Sequence, residues 1–207
     1  MTKIIPAILT NNPLDLQRKI KRIKGLTDLV QIDIMDGRFV KNQSIEIDLL
    51  KLYKNFNFEL HLMVECPQDY LQKISKKQIE SFVFHFESKA NIKRLINKIK
   101  QRDIKVGLAI NPDTKVKEID PFLGSIDFVL VLGVNPGFAG SKFQNKALEK
   151  VRYLKSQGIK VEVDGGINLD NIKKIKKAGA DRLAIGTGLF NSKDIKTRFN
   201  KLKNKVN

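Results

Sequence analysis

The chain has no tryptophan, one cysteine and two histidines in 207 residues, and its 22 acidic side chains are outnumbered by 39 lysines and arginines. A lone Cys66 excludes an intrachain disulfide and points to a reducing interior such as the cytoplasm. Long hydrophobic runs are also missing. The first apolar stretch, Ile4 to Leu9, contains Pro6 and gives way to Thr10-Asn11-Asn12, too short for the core of a secretion signal. No segment approaches the roughly 20 apolar residues of a membrane span, so no membrane partner is expected. Nor does any linker, low-complexity tract or composition break divide the sequence. Residues 1–207 are therefore read as one domain, large enough to bury a core without disulfides.

The charge of one sign that is present in excess, a net +17, raises the question of a nucleic-acid partner. The lysines argue against it. They recur in nearly every helix candidate (Lys19, Lys21, Lys24, Lys93, Lys98, Lys100, Lys173, Lys174, Lys176, Lys177) rather than gathering on one, amid many Asn and Ile. This pattern reads as solvated helix faces in an AT-rich coding background, and no nucleic-acid partner is expected. A positive field still favours the approach of an anionic small molecule.

Short runs rich in β-branched residues alternate with longer amphipathic, Lys-rich segments. The strands predicted are Lys3–Leu9, Leu29–Met35, Phe58–Met63, Phe82–His85, Lys105–Ile110, Phe128–Leu132, Lys160–Val163 and Arg182–Ile185. Uninterrupted apolar runs suit strands covered on both faces, as in a parallel sheet. Helices are predicted from Pro13 to Lys24, stopped by Gly25, and over Ile45–Asn55, Pro67–Ser75, Asn91–Arg102, Val116–Phe122, Asn145–Gln157, Leu169–Ala178 and Asn191–Lys205, with Gly158 and Gly179 as C-terminal stops. Eight such units, about one per 25 residues, predict an α/β fold closed into a single (β/α)8 TIM barrel.

In such a barrel the chemistry sits where the strands end. Period-two alternation puts Gln31, Asp33 and Met35 on one face of the second strand, with Asp33 deep in an apolar run; Asp164 ends the seventh strand in the same way. A buried carboxylate is costly unless a donor, a metal or a substrate compensates it. Each Asp alone is equally well explained as an acceptor of backbone hydrogen bonds, but with His61 the pair makes a metal and acid–base cluster. Gly165-Gly166 and Gly186-Thr187-Gly188 follow the last two strands, where barrels bind phosphate, and Asn135–Gly140 supplies a loop suited to be a lid.

These segments carry a resemblance. Pro6-Ala7-Ile8-Leu9, Asp33-Ile34-Met35-Asp36-Gly37-Arg38-Phe39-Val40, His61-Leu62-Met63-Val64, Asn111-Pro112, Val134-Asn135-Pro136-Gly137-Phe138-Ala139-Gly140, Val163-Asp164-Gly165-Gly166-Ile167 and Gly186-Thr187 closely resemble the ribulose-phosphate 3-epimerase family, in order and at the family's spacing across essentially the whole chain. The resemblance implies interconversion of ketose phosphates at C3, commonly ribulose 5-phosphate and xylulose 5-phosphate, by two bases that map to Asp33 and Asp164. It implies a divalent metal held by Asp33, His61 and Asp164, and a sugar pocket lined by Ala7, Met35, His61, Met63, Gly137, Phe138, Ala139, Gly140, Gly165, Gly166, Gly186 and Thr187. It also implies a homo-oligomer.

The sequence departs from the family pattern in four places. Gln31 stands where the family has a metal-binding His, Ala7 replaces a substrate-contacting Ser, Leu132 replaces a pocket Met, and Ser141 replaces a Gln. A neutral amide oxygen is a harder donor than imidazole. Gln31 therefore implies weaker zinc binding, a shift to manganese or magnesium, or no bound metal. Three readings follow: a 3-epimerase for a pentose phosphate or another ketose phosphate such as allulose 6-phosphate; a non-catalytic sugar-phosphate-binding barrel; and a scaffold or nucleic-acid binder drawn by charge.

Overall fold

In the computed structural model, which describes residues 2–74 and 77–206, eight parallel strands close into a barrel in sequence order. They are β1 (Lys3–Ile8), β2 (Leu29–Met35), β3 (Asn57–Met63), β4 (Ile79–His85), β5 (Lys105–Ile110), β6 (Phe128–Leu132), β7 (Val161–Asp164) and β8 (Arg182–Ile185). The helices are α1 (Pro13–Ile23), α2 (Gln68–Leu71), α3 (Ile92–Lys100), α4 (Lys146–Ser156), α5 (Ile172–Ala178), α6 (Thr187–Phe190) and α7 (Ile195–Val206). The (β/α)8 architecture is the expected one. None of the described helices is long and apolar enough to cross a membrane.

Local sequence accounts for several helix ends. The Asn12 side chain accepts from Leu14 N at 2.8 Å while Pro13 occupies the first turn, and Leu16, Ile20 and Ile23 form one buried stripe of α1. Asn91 caps α3 through Arg94 N at 3.0 Å. Gly179, at φ +112°, ends α5 in the left-handed conformation that a side chain resists.

The largest departures from the sequence reading lie in the connections after β2, β3 and β5. The first is a 3-10 turn, Ile47–Leu52, rather than an α-helix. The third is a run of 3-10 turns, Val116–Ser125, in which Pro121 lacks the donor an α-helix needs. The second holds, among its described residues, the single turn α2, and Ser75, where the expected helix ended, lies outside the described residues, as do Met1, Lys76 and Asn207. The expected helix over Leu169–Ala178 starts later because Asn168 and Asn171 spend their side chains on an Asx turn. The final helix, expected from Asn191, also starts later, with Asp194 capping α7 by accepting from Thr197 N at 3.0 Å, and the single turn α6 that follows β8 at once was not expected.

The main apolar core lies between barrel and helices, and a second, smaller one lies inside the barrel. The inner cluster, Val83, Ala109, Phe128, Leu130 and Leu132, fills the β4–β6 side only. The β2, β3, β7 and β8 side is polar. Toward the strand starts, Arg182 pairs with buried Glu59 and with Glu162 (2.7 Å), its guanidinium lying over Phe128, while Ser81 donates to Glu59 at 2.5 Å. Burial, with the Glu59 charge beside it, pushes the Glu162 carboxyl well up.

One glycine tests the tight closure of the last two units. A Cβ on Gly188 would stand 2.1 Å from the backbone oxygen of Ile167. Gly188→Ala is expected to destabilise the fold by about 1–3 kcal/mol through this backbone clash. A shift in the urea midpoint at unchanged slope would report it.

Candidate active site

Register carries the strand-end residues to one level. In the β2–β3 pairing Asp33 stands opposite His61 and Met35 opposite Met63, and in the β6–β7 pairing Leu132 stands opposite Asp164. Asp33 and Asp164 come from strands that are not neighbours, β2 and β7, and reach the same imidazole. The Nδ1 atom of His61 lies 3.1 Å from Asp33 Oδ1 and 3.2 Å from Asp164 Oδ2. One donor atom from each of these three residues lies within 4.8 Å of the others.

Gln31 lies directly under this group and is fully buried. Its Nε2 donates to Asp33 Oδ1 at 2.8 Å and to Asp164 Oδ2 at 2.7 Å, and stands 3.4 Å from His61 Nδ1. Its Oε1 is buried with no hydrogen-bond partner. Such an orphan costs free energy that a donor or a cation would recover.

The electrostatics follow from this crowding. Burial raises the Asp33 carboxyl above the ordinary range, and the charge of Asp164 adds to the rise against the hydrogen bond from His61. For His61, burial works to lower the imidazole, but hydrogen bonds to Asp164 and Asp33 prevail and push it up to about 10. Without a cation the cluster therefore keeps protons at neutral pH.

Above the cluster a pocket opens at the strand ends. It is lined by every residue the sequence reading placed there: Ala7, Met35, Met63, Asp33, His61 and Asp164; the loop-six residues Gly137 to Gly140; and Gly165, Gly166, Gly186 and Thr187. Leu9, Lys19, Phe190 and Asn191, which the sequence reading did not select, line it too, along with Leu132, Val134, Ser141 and the lid-loop residues Asn135 and Pro136. Gly166, at φ +70°, is packed so closely that a Cβ would meet the Phe143 and Ser141 backbones at 2.7 and 3.0 Å, which fixes loop seven against loop six. Asn42 Nδ2 donates to Gly137 O at 2.9 Å and ties loop six to the β2 side, leaving Phe138 at 65% exposure above the pocket.

Sequence reasoning missed one group. His85 ends β4 and is fully buried, with its Nε2 3.0 Å from His61 Nε2 and its Nδ1 3.2 Å from Glu87 Oε2. The rule that singled out Asp33, applied to the end of β4, selects His85.

A parallel barrel whose strand ends bring two acids and a histidine together beneath a pocket bounded by glycine-rich loops defines an acid–base enzyme architecture. The chain belongs to the ribulose-phosphate 3-epimerase family, whose model, the "Ribulose-phosphate 3 epimerase family", matches residues 3–190. It is 33% identical to the ribulose-phosphate 3-epimerase of Aquifex aeolicus over 98% of this chain and 96% of that one. It is 31% identical to the enzyme of the same name from Bacillus subtilis, over 98% and 99%. Among solved structures, KGPDC from Streptococcus mutans shares the fold with a TM-score of 0.76 and 14% identity, over 99% of this chain and 97% of that one.

Proposed function

We propose that the chain is a ketose-phosphate 3-epimerase that interconverts D-ribulose 5-phosphate and D-xylulose 5-phosphate. The observation that carries this reading is the convergence of Asp33 and Asp164, from β2 and β7, on one imidazole in the pocket floor. Inversion at C3 needs one group to take the proton from one face and another to return a proton to the opposite face. At the start of each turnover one carboxyl must be ionised and the other protonated, and at its end the roles are exchanged. Burial raises the affinity of Asp33 for a proton, the direction that a proton-holding role requires.

The pocket's other residues have assigned parts. Met35 and Met63 give the reacting carbon an apolar surround, which keeps water from the proton in transit. Gly165, Gly166, Gly186 and Thr187 offer loop backbone to the phosphate, and Gly137 to Gly140 close over the sugar. Ala7, with no hydroxyl, contributes only its small volume. In this reading the enzyme works in a reducing compartment such as the cytoplasm, as a homo-oligomer.

The donor set fits a divalent cation: the His61 nitrogen and carboxylate oxygens of Asp33 and Asp164, with the Gln31 Oε1, which lacks a partner, joining them only if the amide turns over so that its oxygen replaces Nε2 at the cluster. One nitrogen among oxygens suits manganese or magnesium as well as zinc. Such a cation supplies positive charge beside the oxygen on which negative charge develops when C3 loses its proton. Gln31→His is expected to raise zinc affinity by about tenfold, because imidazole is the softer ligand. Titration calorimetry would detect it, and an unchanged affinity would remove Gln31 from the ligand set.

Incubation with a panel of ketose phosphates in deuterated buffer tests the whole reading. Deuterium at C3 of both epimers is expected, and its absence with every substrate would favour a barrel that only binds sugar phosphates. The panel also separates ribulose 5-phosphate from hexose analogues such as allulose 6-phosphate.

A further inference from the structure

Beyond the pocket, a line of hydrogen bonds runs from His61 away from the ligand side. We propose that Glu87, which does not line the pocket, fixes which nitrogen of His61 carries a hydrogen, and so is a positioning residue for the metal-ligand face of that histidine. The proposal rests on the epimerase reading only for what the cluster binds.

Donors and acceptors along this line fix its direction. Asn111 donates its backbone N–H to Glu87 Oε1 at 2.8 Å, and the Thr114 hydroxyl donates to the same oxygen. An ionised carboxylate has no hydrogen to give, so Glu87 Oε2, 3.2 Å from His85 Nδ1, must accept from it. A neutral imidazole carries a single N–H, and with that hydrogen on Nδ1 the Nε2 of His85 is a bare acceptor. It stands 3.0 Å from His61 Nε2, which must therefore be the donor. His61 is then left to present Nδ1 to Asp33 and Asp164 as the atom free to exchange a proton for a cation.

The frame around the relay is rigid. His85 is fully buried, with the Phe39 ring against it at 4.9 Å between centroids. Lys150 donates to the carbonyls of Asn111 and Thr114 at 2.7 and 2.6 Å, holding in place the segment that orients Glu87. Ligating histidines in general depend on an acceptor at their other nitrogen, and here that acceptor is a second histidine whose polarity comes from a carboxylate one step further out.

The sharpest test exchanges one oxygen for an NH2 group. In Glu87→Gln the side chain keeps its shape, but the Asn111 N–H can only donate, so the amide oxygen must face it and the NH2 must face His85. The relay then runs backwards. His85 accepts at Nδ1 and carries its hydrogen on Nε2, His61 accepts at Nε2, and a hydrogen settles on Nδ1 between the two aspartates. Affinity for Mn2+, measured by calorimetry, is expected to fall about 10–100-fold. The tautomers can be read independently by long-range 1H–15N spectra, since the whole chain has only two histidines.

In the unmodified protein His85 should show a protonated Nδ1 and a bare Nε2, with His61 protonated at Nε2 when zinc is loaded; in the variant His85 should show the reverse. A bare Nδ1 on His85 in the unmodified protein would overturn the proposal without recourse to any variant. So would a Glu87→Gln protein that keeps the original tautomers, whatever its Mn2+ affinity. If the unmodified protein binds no Mn2+ or zinc, the metal reading falls, and the His85 tautomer still decides the relay.

Discussion

Asp33→Asn and Asp164→Asn are each expected to lower epimerisation by at least about 10²–10⁴-fold, the range in which a lost general acid or base is felt. An amide keeps the shape of the carboxylate and can still accept from Gln31 Nε2, which lies 2.8 and 2.7 Å from the two side chains. What it loses is the capacity to carry a proton to or from carbon. The expected pattern is more specific than inactivity. The surviving acid still faces C3 from one side, so slow deuterium incorporation with retained configuration should outlast the loss of inversion.

Two alternatives to this explanation are separable. If the variants failed by misfolding, the melting temperature would fall. Removing one of two like charges, in a pair where the charge of Asp164 already raises the proton affinity of Asp33, should instead leave stability nearly unchanged. If they failed only by losing a cation, restoring it at high Mn2+ concentration would restore turnover. Inversion retained in either variant would refute the two-base assignment.

How much of this was legible in the sequence differs from residue to residue. Leu29–Met35, Lys105–Ile110, Phe128–Leu132 and Arg182–Ile185 have the bounds expected, because strands covered on both faces read as predominantly apolar runs. The 3-10 connections were not legible: Ile47–Leu52 has the apolar spacing of a helix and differs only in how its turns close. Asp33 and Asp164 stood out because an acid in an apolar run needs a reason.

Gln31 looked like a weakened metal ligand. That it also bridges both aspartates depends on β2 and β7 facing each other across the barrel, a relation that no single segment contains. His85 hid in plain view as an ordinary strand-ending residue, and its meaning appears only when the β3–β4 pairing brings its ring to His61.

Metal uptake should depend steeply on pH, and the direction follows from His61. Burial tends to lower its pKa, yet Asp164 and Asp33 hold it at about 10 in the metal-free protein, against about 6.5 for an unperturbed imidazole. A cation that takes Nδ1 must displace that proton. Apparent affinity should therefore climb about tenfold per pH unit below pH 10, about 100-fold between pH 7 and pH 9 for one released proton. Stability runs the other way. A group whose folded pKa is raised contributes fully below its unfolded pKa and loses that contribution as pH rises through the folded value, so the metal-free fold weakens from about pH 6.5 toward pH 10. The gap in melting temperature between Mn2+-loaded and chelator-treated protein should accordingly widen from pH 7 to pH 9. Calorimetry in buffers of different ionisation enthalpy would count the released proton, and an affinity that stays flat over this range would mean that His61 Nδ1 carries no proton for the cation to displace.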